Sequence, residues 1–179
     1  PQVMKDVAIG VDIGGTFTKF GIVDEQGNSL AANSMPTTKH TDLEPFLKDL
    51  HQEIDGLLDA LESEVNIVGM GVGAPSGNYY TGTIENAPNL SWKGVVPFCE
   101  VSKKIKPLPT FLTNDANAAA IGEKMYGGAQ NMENFIEITL GTGLGSGLIV
   151  NGELVYGHDG FAGKLGHVTY DYNGRLCGC

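Results

Sequence analysis

Residues 7–23, VAIGVDIGGTFTKFGIV, and residues 135–150, FIEITLGTGLGSGLIV, share one plan. Each is an apolar strand, a bend rich in Gly and Thr, and a second apolar strand, and each runs into a polar turn containing Asn and Gly. Two such hairpins in 179 residues constrain the fold more than any other feature. They read as a duplicated α/β unit with a ligand between the copies, the plain alternative being two unrelated hairpins in a glycine-rich chain. Gly numbers 26 and clusters in short runs between apolar segments, which suits tight turns or close backbone approach to a ligand.

Between the hairpins the pattern predicts a third strand near 29–35 and an amphipathic helix over 41–61. Leu43, Phe46, Leu47, Leu50, Ile54, Leu57, Leu58 and Leu61 recur at spacings of three and four, which gives one apolar face for the core. Thr41 with Glu44 has the form of a capping box at its start. Ile67–Ala74 reads as a buried strand, Pro75–Asn78 as a turn, and residues 79–97 as a long irregular functional loop. A short strand over 110–113 leads into Asn114-Asp115, and residues 116–126 form a helix stopped by Gly127-Gly128.

The formal net charge of −10 works against a surface that tracks nucleic-acid phosphates. It leaves room for a nucleotide, whose phosphates backbone N–H groups and a metal ion can neutralise locally. No apolar run reaches roughly 18 residues, so no membrane span is expected. Pro1–Asp6 lacks the pattern of a secretory signal, and three cysteines without framework spacing fit no disulfide scaffold, so the expected compartment is the cytoplasm. Cys99 reads as a small buried hydrophobe.

Three segments carry chemistry. In DIGGTFTK, the Gly14-Gly15-Thr16 bend lets N–H groups and a hydroxyl converge on an anion with no Cβ in the way. Asp12 can hold Mg²⁺ or its waters, and Lys19 offers a cation. The second bend, Gly141-Thr142-Gly143-Leu144-Gly145-Ser146-Gly147, echoes the first, so two phosphate-binding hairpins are expected. In NDANAAA, Asp115 stands where a strand meets a helix start, near the positive end of that helix. Locally it could equally be an N-cap, as could Asn114. Beside two phosphate loops the catalytic role is the better reading, because phosphoryl transfer to an alcohol needs one carboxylate to take the hydroxyl proton. In GHVTYDYNGRLCGC, His167, Cys177 and Cys179 suit zinc, with three ligands where a structural site has four.

Together these residues resemble the ROK family of bacterial sugar kinases and related repressors, from Lys5 to the last residue. DIGGTFTK and LGTGLGSG look like the family's two phosphate motifs. GVGAPSG followed by NLSW resembles its sugar-loop region, NDANAAA contains its active-site Asn-Asp pair, and GHVTYDYNGRLCGC looks like the start of its zinc motif. The resemblance implies an α/β, actin-like ATPase (ribonuclease H-like) fold, with an N-terminal domain over residues 1–115 and the start of a second over 116–179. It implies ATP-dependent phosphorylation of a hexose, glucose foremost, at the 6-hydroxyl, with Asp115 as general base. Asn114 and His167 would hydrogen-bond sugar hydroxyls, with Gly77 and Asn78 lining the same pocket. Asp12 would position Mg²⁺, while Gly14, Gly15, Thr16, Gly141, Thr142 and Gly143 would surround the phosphates of ATP. His167, Cys177 and Cys179 would match three Zn²⁺ ligands, and a full-length homodimer is implied.

One residue departs from the pattern. The family has a sugar-binding Glu three residues before the motif His; here Lys164 stands there, and an ammonium donates where a carboxylate accepts. The family's third zinc Cys, a later sugar-binding Glu and most of the second domain would fall after residue 179, so the chain is expected to be a fragment. Two rival readings remain, a non-catalytic sugar-sensing regulator and an inert fragment. Family repressors carry a DNA-binding domain ahead of the first phosphate motif, where only a few residues stand here, and this favours the kinase.

Overall fold

The computed structural model describes residues 4–141 and 143–176. Alternating burial builds its larger sheet: β1 (Lys5–Ile13) turns Val7, Ile9, Val11 and Ile13 to one face, and β2 (Phe17–Asp24) turns Phe20 and Ile22 to the same face. β3 (Ser29–Pro36) follows antiparallel, and β4 (Val65–Ala74) lies parallel to β1. Between them runs α1 (Leu43–Asp59), whose Phe46, Leu47, Leu50 and Ile54 are wholly buried, with the Phe46 ring 4.6 Å from that of Trp92. The expected capping box is not formed. Asp42 is the N-cap, so Thr41 sits one residue too early to reach the helix; its hydroxyl donates to Asp42, and Glu44 pairs with Lys48 at 2.7 Å.

A small antiparallel sheet joins β5 (Gly77–Asn78), in the expected turn, to β6 (Thr83–Glu85) and β7 (Val95–Val96), in the segment expected to be an irregular loop. It leads into a helix absent from the sequence reading, α2 (Phe98–Ile105), which buries Phe98, Cys99 and Ser102. Its signals were local: Pro97 before it, Glu100 in its first turn, Lys103 and Lys104 in its last. Eight residues give too little periodicity to stand out. Cys99 is buried as expected, and burial raises its thiol pKa. β8 (Thr110–Asn114) completes a sheet of order β3-β2-β1-β4-β8, with β1, β4 and β8 parallel.

Where α1 meets α2, His51 is 4% exposed, its Nε2 lies 3.0 Å from Ser102 Oγ, and its Nδ1 has no partner among the described residues. Burial, and then the Lys106 ammonium, lower its pKa, with Asp55 opposing. The folded chain therefore holds His51 neutral while the unfolded chain takes up a proton below about 6.5. Stability from this residue is complete above that pH and is lost as the pH falls toward the depressed folded value, at up to about 1.4 kcal/mol per pH unit. His51→Gln should flatten the unfolding free energy between about pH 6.5 and 5 relative to the parent; equal slopes in the two proteins would show that His51 is not held neutral.

The second sheet has order β11-β10-β9, from β9 (Phe135–Leu140), β10 (Leu144–Val150) and β11 (Glu153–Leu154). Both expected hairpins form, pairing Ile13 with Thr18 and Leu140 with Leu144 at their bends. α3 (Asp115–Tyr126) lies between the sheets, and the run of alanines explains how closely. Ala118 packs over Gly73 of β4, while Ala116 and Ala120 face Gly145 and Gly147 of β10; a Cβ on Gly147 would stand 2.6 Å from that of Ala120. Among the described residues no helix is long and apolar enough to cross a membrane.

Candidate active site

Because β1, β4 and β8 are parallel, their C-terminal ends open on one side, where open α/β sheets hold ligands. The loops leaving them line a cleft of about 460 Å³: Gly14 and Gly15 after β1, Pro75 and Ser76 after β4, Asn114 and Asp115 at the end of β8. The second sheet closes the other wall with Gly141, Gly143, Gly145 and Ser146, and Lys164 and His167 complete it. Both Gly-rich bends are tied by their own backbone, Gly14 N–H donating to Phe17 O and Gly141 N–H to Gly143 O, each at 3.0 Å. A Cβ on Gly14 would stand 2.7 Å from Phe17 O, closer than a side chain can sit, and one on Gly15 would press on Asn89 O at 3.0 Å.

The structure settles which of the Asn-Asp pair caps α3. Asn114 is the N-cap, its Oδ1 accepting from Ala116 N–H at 3.0 Å. Asp115 is the first helical residue; its Oδ1 accepts from the same N–H at 2.9 Å, and the residue is exposed toward the cleft.

Asp12 and Lys19 are register partners across β1 and β2 and line a separate cavity of about 830 Å³. Desolvation, and then the charge of Asp115, raise the pKa of Asp12, while Lys19 pulls it down.

Gly77 and Asn78 are buried and do not line the cleft. Asn78 Nδ2 donates to Glu85 Oε1 and to Asp159 O, both at 2.9 Å, and its Oδ1 accepts from Tyr80 N–H at 3.0 Å. The amide thus ties the β5 turn to the loop that carries Lys164 and His167. A Cβ on Gly77 would collide with Thr113 O. Thr16 is exposed beside the first bend. Thr142, Cys177 and Cys179 lie outside the described residues, so of the three expected zinc ligands only exposed His167 is placed. Among the described residues no group of three or more His, Cys, Asp and Glu side chains is arranged to hold a metal. Ser76 and Asn89 do line the cleft although neither was singled out from sequence. Ser76 has φ of 55°, a left-handed conformation uncommon outside glycine. Both fall inside the two sugar-loop motifs, which was the signal available.

A family model described as "ROK family" matches residues 8–179. The chain belongs to the ROK family, and its fold is the actin-like ATPase fold. It is 41% identical over 174 residues to a glucokinase of Streptomyces coelicolor, covering 97% of this chain and 53% of that protein. It is 31% identical over 179 residues to the xylose repressor of Bacillus subtilis, covering 96% of this chain and 44% of that protein. A ROK family glucokinase from Streptomyces griseus, solved in complex with glucose and AMPPNP, superposes with a TM-score of 0.82 at 35% identity, over 97% of this chain and 54% of that one. The chain thus spans about half the length of the curated relatives it matches.

Proposed function

We propose that this chain is the phosphate-binding and acceptor-activating part of an ATP-dependent hexose kinase, with glucose the first candidate substrate. The observation that carries the reading is the exposed carboxylate of Asp115 opening into the same cleft as both Gly-rich bends. N–H groups of the bends at Gly14–Thr16 and Gly141–Gly143 hold the phosphates. Asp115 accepts the proton of the sugar 6-hydroxyl as its oxygen bonds to the γ-phosphorus and the bond from that phosphorus to the bridging oxygen of ADP breaks. Asn114 spends its Oδ1 on the helix cap, which leaves its NH₂ to donate to a sugar hydroxyl, and His167 offers a ring nitrogen from the opposite wall. Asn78 and Gly77 shape this pocket from behind. Mg²⁺ beside Asp12, with Lys19 near, would neutralise phosphate charge. Zn²⁺ would be held by His167 with Cys177 and Cys179. We take residues 1–115 as the first domain and residues 116–179 as the start of the second.

The glucokinase similarity, and the glucose and AMPPNP bound to the structural neighbour, support this reading. The xylose-repressor similarity supports a second, a sugar sensor without turnover. An ATP-dependent phosphorylation panel over glucose, N-acetylglucosamine, N-acetylmannosamine and fructose separates them. A kinase converts at least one sugar faster than buffer does, whereas a sensor binds sugar and leaves ATP intact.

A further inference from the structure

Along β10, Gly145 and Gly147 point at α3; a Cβ on Gly145 would stand 3.0 Å from that of Ala116. Side chains of a strand alternate between its faces, so Ser146 points the other way. There it is 4% exposed, and its hydroxyl works in both directions: Oγ donates to Gly163 O and accepts from Leu165 N–H at 3.0 Å. Leu165 opens a 3₁₀ turn over Leu165–His167. The backbone bonds of that turn are local, Leu165 N–H to Gly163 O at 2.9 Å and His167 N–H to Lys164 O at 3.2 Å. Among the described residues, the side-chain hydrogen bonds that fasten residues 163–167 to another element both come from Ser146. Gly166 lies against the same strand, since a Cβ there would collide with Leu144 O.

We propose that Ser146 is a positioning residue for the acceptor sugar, holding His167 at its place in the cleft wall. This rests on the kinase reading of the cleft and deepens it. β10 leaves the second Gly-rich bend with α3, and Asp115 at its start, against one face and the His167 segment against the other. The proton acceptor and the sugar contact are thus mounted on opposite faces of one strand. α3 is held by alanines packed on glycines, which no single hydroxyl controls. Leu165, Gly166 and His167 are exposed, and their segment depends on two bonds to one oxygen. Fixing a contact group before the ligand arrives removes an ordering cost from binding. Losing the hydroxyl should therefore weaken the sugar rather than slow the chemistry.

The test is steady-state kinetics on the intact protein with ATP and whichever of the four sugars above turns over fastest, for Ser146→Ala, His167→Ala and the double variant. Ser146→Ala should raise the sugar KM roughly 3–10-fold, the worth of one such bond, while kcat and the KM for ATP move less than about twofold. His167→Ala should raise the sugar KM at least as much. Adding Ser146→Ala to it should change that KM by less than about twofold, because the group it positions is gone. Gly166→Ala leaves the hydroxyl in place but pushes the segment off Leu144 O, and should give the same split between sugar KM and kcat. Single effects that multiply in the double variant overturn the proposal. So does Ser146→Ala with the parental sugar KM, or with equal losses for sugar and ATP. If Ser146→Ala does not fold, Gly166→Ala decides, and a parental sugar KM there overturns the proposal. A parent that phosphorylates none of the four sugars overturns the kinase reading and this proposal together.

Discussion

Asp115→Asn is expected to cut turnover by roughly 10²–10⁴-fold, the range typical for loss of a general base. Asparagine keeps the shape of the side chain and an Oδ1 that can still accept from Ala116 N–H, so the start of α3 survives. What is lost is the basic oxygen, because an amide does not take up the hydroxyl proton. Sugar binding should change little, since Asn114, His167 and the glycine bends are untouched. The measurement is kcat alongside sugar affinity; a variant with parental kcat would remove Asp115 from the mechanism.

Phe46→Ala should destabilise the fold by about 3–5 kcal/mol, the cost of emptying a large aromatic site in a packed core. Phe46 is fully buried, packs at a tilt of 59° against Trp92 with ring centres 4.6 Å apart, and sits on the helix face that covers the five-stranded sheet. Neighbours on a continuous sheet cannot collapse into the gap without moving a strand. Urea unfolding of the two proteins reads the difference directly. A loss under about 1 kcal/mol would mean that α1 is not packed on the sheet as described.

Features written in consecutive residues were readable. The apolar-bend-apolar hairpins needed only local alternation and glycine, and both formed with the expected bends. The apolar stripe of α1 marked a core helix, although its start moved because a cap depends on backbone geometry at a single residue. α2 was missed because two turns carry little periodicity, and the strands within 77–96 because pairs of two or three residues draw their stability from partners rather than propensity.

The candidate site divides in the same way. By its residue types alone, the sequence showed two bends rich in Gly and Thr between apolar runs, and an Asn-Asp pair where a strand pattern gives way to a helix pattern. It could not say which of Asn114 and Asp115 caps the helix, since either side chain can; the fold decided for Asn114 and left Asp115 facing the cleft. Only tertiary structure showed that Asn78 spends its amide on Glu85, Tyr80 and Asp159, and that the half-buried Lys164 lays its ammonium over the Phe161 ring. Asn78 and Asp159 are 81 residues apart. Contacts across such separations depend on how sheets and helices stack, and local sequence patterns report only what lies within a few residues of itself.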